Sequence, residues 1–446
     1  MPESQRTRLV VATCVTSIAM LALALTAWHL LGERHEASRD TGPSLADSLG
    51  GDTTGFARAD RRRDFTFPAD HGAHPDYRTE WWYFTGNLTA ADGERRFGYQ
   101  LTFFRSAVAL PSGPEGDGAE SAWRTRQVWM AHLAVTDVEG NRFHAADRYA
   151  RGALGLAGAE TEPFRVHLND WSARESAGTS PKSAGTSENG EKDPVLESAG
   201  TFGGGEKDPV SESAGTFGDG EKRPDLESAG TFPWRLAATD AGFGIDLSLE
   251  AGKGAVLQGD GGLSRKGGEG ADEASYYYSF PRMPTTGTVT VGGERFAVEG
   301  DSWFDREWSS ALLAEGRVGW DWVSLQLDDG RELIAFRLRG EGGDAERGLD
   351  YAALVTVDGE LRQLDAGAAS LTTLGQWTSR ETGVRYPSGW QLLLPDAGID
   401  LDIQPWIDDQ ELDLTVRYWE GAVRAEGEAA GETVDGVGYV ELTGYR

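Results

Sequence analysis

The amino-acid sequence predicts an all-β fold of many short strands behind an apolar N-terminal segment. Polar and apolar residues alternate with a period of two over several stretches, as they do in strands that are buried on one side. The chain also holds 60 glycines and 15 tryptophans, which favours tight turns and short strands over long helices. Its 446 residues, of which 39% are apolar, are enough for two or three domains.

The N-terminal segment is predicted to direct the chain into or across a membrane. Residues 9–31 are mostly apolar and carry no charge, and at about 1.5 Å per residue they can cross a bilayer core. Arginines precede them, which favours a cytoplasmic N-terminus. Residues 1–32 are therefore interpreted as a transmembrane anchor or a signal peptide, and residues 33–63 as a flexible tether. Both alternatives predict an extracytoplasmic protein, periplasmic or at the cell surface, that is anchored in the inner or plasma membrane or secreted after cleavage.

Charge and cysteine usage argue against several classes of protein. The net charge of −30 and the pI near 4.6 give a surface that repels nucleic acid. Cys14 is the single cysteine, so no disulfide can form within the chain. The sequence has no Gly-Lys-Ser/Thr phosphate loop, no GxSxG elbow and no His/Cys/Asp spacing typical of a zinc site. We therefore expect no metal, no other cofactor and no nucleic-acid partner.

The strands are predicted from alternation and from the turns between them. Phe97, Tyr99, Leu101 and Phe103 share one face of a strand, and residues 129–135 alternate in the same way. The turns predicted to close such runs are Asp92-Gly93, Glu139-Gly140 and Asp329-Gly330.

A repetitive block interrupts the first half of the chain. The hexapeptide ESAGTF begins at Glu197, Glu212 and Glu227, and the residues between the copies are mainly Gly, Glu, Lys, Asp and Pro. One phenylalanine per unit cannot form a solenoid core, so residues 173–232 are predicted to be a disordered insertion. Strand-like sequence on both sides predicts that the insertion leaves a barrel or sheet edge and returns to it.

Two prolines are predicted to mark the boundary between two β domains. Pro281 and Pro284 follow a strand-like run, and proline cannot donate a hydrogen bond to a strand ladder. The first domain is assigned to residues 64–285 and the second to residues 286–446.

The stretch TEWWYFTGNL places Glu80 directly before four consecutive aromatic residues. In a strand, Glu80 and Trp82 face one side while Trp81 and Tyr83 face the other, so both sides are predicted to be covered. A buried carboxylate without a partner costs several kcal/mol. Glu80 is therefore predicted to pair with an arginine, with Arg306 across the domain interface as the candidate. The alternative is an acid that stands in a pocket.

The stretch GDSWFDREWSS carries a candidate acid pair. Asp305 and Glu307 share one face of a predicted strand, about 7 Å apart, while Arg306 and Trp308 share the other face. Two neighbouring carboxyl groups can raise the pKa of one of them, which is a basis of general acid catalysis. A buried ion-pair network with Arg306 or Arg105 is the alternative.

Two further segments are candidate walls of a ligand cavity. Trp320 and Trp322 share a face with polar residues in the predicted hairpin 319–339, a mixture that fits either a cavity or a domain interface. His132 lies inside a predicted strand beside Met130, and it is either a core residue or part of the ligand site.

Seven motifs occur in an order that resembles the AttH/CrtC family. They are DYRTEWWYFTGNL, GYQLTFFR, LQGDGGLSRKG, ASYYYSFPRM, WFDREWSS, GWDWVSLQLDDG and YWEGAV. The resemblance spans residues 65–446 apart from the insertion. It implies that the two β domains are tandem lipocalin-like antiparallel β-barrels packed against each other.

The resemblance implies more than one function. The family includes carotenoid 1,2-hydratases, proteins encoded with ABC exporters, and pericyclase relatives. The His–x–Trp pair of the hydratases corresponds to Arg306 and Trp308 here, and their Tyr–Asp pair is matched only by Asp328. An arginine cannot give up a proton near neutral pH. This difference argues against hydration by the same mechanism.

Two hypotheses follow. The favoured one is an extracytoplasmic protein that binds a hydrophobic ligand (a lipid, isoprenoid or peptide) for an envelope or export system, with an ABC-transporter permease as the expected partner. Its site is assigned to Glu80, Trp82, Tyr99, His132, Tyr277, Arg306, Trp320 and Trp322. The alternative is a hydratase that acts on an isoprenoid or carotenoid double bond without metal or nucleotide, with Asp305, Glu307 and Trp308 as catalytic residues. An enclosed cavity that touches Asp305 would favour the enzyme.

Overall fold

The computed structural model describes most of the chain that follows the apolar N-terminal segment. The described residues are 45, 52–110, 125–176, 232–266, 273–310, 313, 316–340 and 348–446. The predicted anchor and the repeats in 177–231 lie outside this set. Within it, no helix is both long and apolar enough to cross a membrane.

The first sheet of the described chain holds 13 strands, and all its pairings are antiparallel. Its strands are β1 (Thr79–Ala90), β2 (Arg96–Ala107), β3 (Gln127–Asp137), β4 (Arg142–Arg151), β5 (Ala157–Glu160), β6 (Arg165–Leu168), β7 (Trp171–Glu175), β8 (Trp234–Asp240), β9 (Phe243–Leu249), β10 (Val256–Leu257), β11 (Leu263–Arg265), β12 (Ala274–Val291) and β13 (Glu294–Ser309). The order β4-β3-β2-β1-β13-β12-β9-β8-β7-β6-β5 places two strands that follow each other in the chain at its two edges. This is a nearly closed barrel.

The second sheet forms the second barrel from the rest of the chain. Its strands, together with the small β19–β20 hairpin beside it, are β14 (Arg317–Leu327), β15 (Glu332–Gly340), β16 (Tyr351–Val355), β17 (Leu361–Gln363), β18 (Ser370–Thr373), β19 (Gln376–Thr378), β20 (Arg385–Pro387), β21 (Trp390–Leu394), β22 (Ile399–Pro405), β23 (Glu411–Asp413), β24 (Arg417–Ala429) and β25 (Glu432–Leu442). The described helices are short 3₁₀ turns at Ala69–His71 and Pro395–Ala397. The all-β prediction is confirmed.

The predicted domain boundary is wrong. Strand β12 runs through position 285 without ending, and β13 pairs with β1, so the first barrel extends to Ser309. The prolines produce an irregularity in register between Phe280 and Met283 instead of a strand end. A bulge can absorb a residue that cannot donate to the ladder.

Two other predicted boundaries also change. Strand β7 ends at Glu175 and pairs with β8, so the insertion begins after residue 173 and joins two neighbouring antiparallel strands. The predicted tether is packed in the part that is described, because Ala59 is buried and Tyr276 donates a hydrogen bond to the Arg61 carbonyl. Leu45 is also buried.

Each barrel has an inner core, and the barrels meet through their outer faces. Trp82 and Phe84 point into the first core, and Val323 and Leu325 into the second. Two further apolar clusters combine side chains of both barrels, among them Tyr83, Tyr277, Trp322 and Phe336. Both faces of β1 are therefore buried, one inside its barrel and one at the interface, which explains its unbroken aromatic run.

Candidate active site

A cleft lies between the outer faces of the two barrels. Its cavity volume is about 70 Å³, and the space free of protein atoms around it, which includes open solvent, is about 680 Å³. Its lining combines aromatic rings with carboxyl groups and one ammonium group. The lining residues are Leu45, Trp81, Tyr83, Gln100, Phe104, Lys266, Tyr277, Asp305, Glu307, Trp320, Trp322, Phe336 and Glu441.

Strand register assembles this lining from residues that are far apart in the chain. On the first barrel, Asp305 lies opposite both Ser279 and Tyr83 in the ladder, and Glu307 lies opposite Tyr277 and Trp81. On the second barrel, β25 places Glu441 opposite Trp322 of β14 and Glu420 of β24. Side chains of directly paired residues lie on the same face, so each barrel presents rows of aromatic and acidic groups to the other.

Asp305 is 3% exposed and is held by three hydrogen bonds. Its Oδ2 accepts a bond of 2.7 Å from the Tyr277 hydroxyl, and its Oδ1 accepts bonds from Ser279 (2.5 Å) and Trp303 (2.8 Å). Burial raises the pKa of Asp305 to about 7, although these bonds lower it, and the charge of Glu307 adds to the rise. Asp305 forms no salt bridge with any residue that the structure describes. It is therefore available as a carboxylic acid near neutral pH.

Glu307 is buried next to the one ammonium group of the cleft. Its Oε1 lies 2.7 Å from Lys266 Nζ and also accepts a hydrogen bond from Ser275. The Lys266 ammonium lies 5.3 Å from the ring centre of Tyr277 and 4.8 Å from that of Phe336. These are cation–π distances. Glu307 is thus the paired carboxylate of the cleft, in contrast to Asp305.

The second barrel contributes two more carboxyl groups. Glu441 keeps part of its surface open toward the cleft. Burial raises the pKa of Glu441 to about 7. A hydrogen bond with Trp320 lowers this pKa, while the charges of Glu307 and Asp305 raise it further. Glu420 is 1% exposed and accepts a hydrogen bond of 2.5 Å from the Tyr83 hydroxyl. Burial and then the charge of Glu441 raise the pKa of Glu420 well above its usual range. At neutral pH this barrel therefore supplies carboxyl groups that hold and exchange protons.

Five predicted site residues meet in this cleft. Tyr277, Asp305, Glu307, Trp320 and Trp322 all line it, so the predicted split of the WFDREWSS strand into two faces is confirmed. Trp320 and Trp322 line the cleft and also lie at the interface between the barrels, so their position agrees with both alternatives.

The opposite face of the same strands carries predicted site residues away from the cleft. Glu80, Trp82, Arg306 and Trp308 lie inside the first barrel and do not line the cleft. Tyr99 also lies in that core, where its hydroxyl is 2.5 Å from Ser302 Oγ. These five residues lie away from the cleft because neighbours in a strand point to opposite faces, and their assignment to a ligand or catalytic site stays a prediction.

Glu80 is the centre of a buried ionic cluster, and the prediction that it pairs with Arg306 is confirmed. Both oxygens are bound, one by Arg105 and one by Arg306, and the His74 backbone N–H lies 3.0–3.1 Å from both. Burial opposes ionisation, but the two guanidinium groups outweigh it and hold the pKa of Glu80 well below its usual range. The pair does not cross between the domains, because β1 and β13 are neighbours in one barrel.

His132 lies at the barrel interface but outside the cleft lining. Its Nδ1 is 2.7 Å from the Tyr418 hydroxyl, to which the cleft residue Gln100 also donates a bond of 2.9 Å. Burial lowers the pKa of His132 to about 4, so its ring is neutral at neutral pH. His132 therefore supports the wall of the cleft from behind.

Several site residues escaped the sequence analysis. Glu441 and Lys266 contribute ionisable groups to the lining, and Glu420 lies behind it, where it accepts the Tyr83 hydroxyl. Rings in the lining come from Trp81, Tyr83, Phe104 and Phe336. The alternation in GYVEL, which places a glutamate among apolar residues near the C-terminus, was the available signal for Glu441. In the described parts of the chain, no three His, Cys, Asp or Glu side chains are grouped so that they could hold a metal ion.

Two antiparallel barrels packed face to face, with an aromatic and acidic cleft where they meet, define a two-barrel protein of lipocalin-like type. The chain belongs to the AttH-like family, whose model matches residues 58–193 and 220–445. The family resemblance of the sequence is thereby confirmed.

Known relatives include both an AttH protein and a hydratase. The crystal structure of a putative AttH from Nitrosomonas europaea is 31% identical, with a TM-score of 0.65 over 88% of this chain and 100% of that chain. Kievitone hydratase from Nectria haematococca has the same fold at 15% identity, with a TM-score of 0.54 over 88% of this chain and 98% of that chain. Kievitone hydratase of Fusarium solani subsp. phaseoli is 23% identical over 217 residues, which are 47% of this chain and 59% of the relative.

Proposed function

We propose that this chain is a hydro-lyase that adds water to a carbon–carbon double bond of an apolar, isoprenoid-type substrate held between the barrels. The observation that supports it most is Asp305, a carboxyl group that is buried, has no salt-bridge partner among the described residues, and lies in the wall of an aromatic cleft. Its pKa of about 7 keeps a large share of the acid form at neutral pH. An enclosed cavity that touches Asp305 is the condition that favours catalysis, and the cleft meets it in part, because Asp305 lines the cleft while part of the cleft is open to solvent.

Protonation of the alkene begins the proposed reaction. Ser279 and Trp303 both donate to Oδ1 of Asp305, whereas Oδ2 accepts only the Tyr277 bond, so Oδ2 is the oxygen that carries the acidic proton. The alkene π electrons form a C–H bond with that proton, and the O–H electrons remain on Asp305 as the carboxylate. A cation is left on the neighbouring carbon, and it is most stable where that carbon bears alkyl groups, as in an isoprenoid. The hydrogen bonds from Ser279, Trp303 and Tyr277 then stabilise the new carboxylate.

Addition of water completes the reaction. Trp81 and Trp322 line the cleft, and their π systems stabilise positive charge on the substrate. A water oxygen bonds to the cationic carbon, and one of its protons passes to Glu441, whose pKa of about 7 leaves a large share as carboxylate. Glu441 then loses a proton to solvent and Asp305 gains one, so the net change is addition of one water molecule.

Arg306, the residue whose identity argues against hydration by the family's mechanism, lies outside this site. Arg306, in place of a histidine, is turned into the first barrel and bound to Glu80, so it does not bear on chemistry in the cleft. The match with kievitone hydratase also supports a hydratase, although this chain covers only 59% of that relative's length.

The test is an assay of acyclic isoprenoid alkenes, carotenoids included, in ¹⁸O-labelled water with product mass analysis. Wild-type protein should yield an alcohol that carries the label, and kcat/KM should fall as pH rises above about 7, since Asp305 acts in its acid form. Asp305→Asn keeps the shape but removes the acid, so its rate should fall about 10²- to 10⁴-fold.

Asp301→Asn is the matched control. Asp301 lies on the same strand, outside the cleft lining, and is paired with Arg282 at a partly exposed position. This variant should keep the wild-type rate. Equal rates for wild type and Asp305→Asn would refute the proposed reaction. Binding of the alkenes without any labelled product would support a ligand-binding protein instead.

A further inference from the structure

We infer that the cleft binds amphiphilic cations, molecules that join an ammonium group to an alkyl or aryl chain, whether or not they react. Quaternary and protonated amines are recognised in proteins by aromatic rings, with carboxyl groups nearby. This cleft provides rings and carboxyl groups from both barrels.

One end of the cleft already holds an ammonium group in this way. The Lys266 ammonium is in contact with Glu307 and lies over the rings of Tyr277 and Phe336, at 4.8–5.3 Å from the ring centres. Lys266 is 8% exposed, so the interaction takes place away from bulk water, where cation–π attraction is strongest. The cleft therefore stabilises an ammonium group with its own side chains.

The rest of the cleft offers the same groups without a cation. Asp305 and Glu441 line it together with Trp320 and Trp322, and neither carboxyl group makes a salt bridge with a described residue. Behind them, Glu420 Oε2 is buried and has no hydrogen-bond partner in the described structure. A ligand ammonium near Asp305 and Glu441 would supply the missing charge, while its chain would contact the rings.

The inference uses the same cleft as the proposed reaction, yet it stands on the lining alone. If hydration occurs, an ammonium ligand resembles the carbocation that forms next to Asp305 and should compete with the substrate. If the protein catalyses no hydration, the cleft still binds the cation. Failure of one proposal is therefore distinguishable from failure of the other.

Binding of a cation should release protons. The groups around Asp305 are Tyr277, Glu307 and Lys266 of the first barrel, the Tyr83 hydroxyl, and Glu420 and Glu441 of the second. Lys266 is the one cation among them, and a second cation favours the carboxylate forms of Asp305 and Glu441. The affinity should thus rise by roughly five- to tenfold between pH 6 and pH 8 if one proton is released, and level off above that.

The experiment is isothermal titration calorimetry of the full chain with three probes, each below its micellar concentration. Decyltrimethylammonium, 1-decanol and decyl sulfate share a ten-carbon alkyl chain and differ in the charge of the head group. The cation should bind about tenfold or more tightly than either of the other two at pH 8. Its affinity should fall as pH is lowered to 6, and heats in buffers of different ionisation enthalpy should show proton release. Equal affinity for the three probes, or an affinity for the cation that does not change with pH, would overturn the inference.

Variants add a second arm that identifies the site. The double variant Asp305→Asn, Glu441→Gln should lose the preference for the cation over 1-decanol, whereas Asp301→Asn should keep it. Unchanged preference in the double variant would show that the cation binds elsewhere and would overturn the assignment to this cleft. The pH dependence in wild-type protein decides the matter if the double variant does not fold.

Discussion

Asp305 and Glu80 are two buried carboxyl groups on neighbouring strands of one barrel, and their surroundings give them opposite chemistry. Glu80 faces two guanidinium groups, which keep it ionised despite its burial. Asp305 faces neutral donors and the acidic side of the interface, so burial prevails and favours its acid form. The side of the strand on which each residue lies decides the difference: Glu80 is a structural ion and Asp305 a titrating acid.

At the residue level, we predict that Asp305→Asn raises the free energy of unfolding above that of the wild type, by an amount that grows as pH rises. The folded-state pKa of Asp305, about 7, lies above the ordinary value of 3.8, so ionisation destabilises the fold between those pH values. The gain from asparagine should therefore be small near pH 4, grow as pH rises and level off above about pH 7. It should reach on the order of 4 kcal/mol at most. Urea unfolding of both proteins from pH 4 to 9 measures it.

The control for this prediction is again Asp301→Asn, whose effect on unfolding should stay small at every pH, since a partly exposed pair contributes about 0–1 kcal/mol. A constant difference between wild type and Asp305→Asn across the pH range would show that Asp305 does not titrate in the folded protein near pH 7.

Among the elements, strands and turns could be predicted from the sequence because they depend on local patterns. The alternation at 97–103 and the turn at Asp92-Gly93 appear as predicted, and Gly93 takes the positive φ of +76° that favours glycine in such a turn. The domain boundary failed because a proline that ends one strand can instead form a bulge in a longer one, as Pro281 does in β12.

The site could be predicted only in part, for a related reason. Alternation separates Asp305 from Arg306, but it does not say which face lies inside the barrel and which lies at the interface. Glu441 and Glu420 join Asp305 only through the pairing of β24 with β25 and the packing of the two barrels. Contacts of such long sequence separation leave no local signal in one sequence.

For the β7–β8 connection, we predict that the repeats can be removed without loss of the fold. Glu175 pairs with Trp234, and the Ser176 N–H donates a bond of 2.9 Å to the Pro233 carbonyl, so the hairpin is closed at its base. Replacing residues 177–231 by Asn-Gly should stabilise the protein by about 2 kcal/mol, because a shorter loop costs less entropy to close. Thermal unfolding followed by circular dichroism measures the change.

Ligand binding provides the second measurement of this deletion. Neither β7 nor β8 contributes to the cleft lining, so the shortened protein should keep the ligand affinity of the full chain. A lower melting temperature or weaker binding would show instead that the repeats contribute to the fold or to the site.

In the whole molecule, the interface between the barrels holds them together and also forms the cleft. The first barrel provides Asp305, the second provides Glu441 and Trp322, and neither contains the complete cleft. Buried polar bonds fix their relative position, among them Tyr83 to Glu420 and His132 to Tyr418. In the proposed reaction, the two barrels therefore have to remain docked for Asp305 and Glu441 to face one substrate.

We predict that the barrels unfold as one unit and that hydrogen bonds from Lys253 stabilise their docking. Its ammonium, from the first barrel, donates to the carbonyls of Gly330 (2.5 Å) and Thr356 (2.7 Å) and lies 2.7 Å from Glu332, all in the second barrel. Lys253→Met removes this donor from two half-buried carbonyls and from the buried Glu332, which keeps its bond from Arg282, and the loss costs about 1–3 kcal/mol. Calorimetry should show one transition in wild-type protein, with equal calorimetric and van't Hoff enthalpies, and a lower melting temperature in the variant.

Because Lys253 does not line the cleft, weaker decyltrimethylammonium binding by the variant would report loosened docking. Two separate transitions in wild-type protein would show that the barrels fold independently.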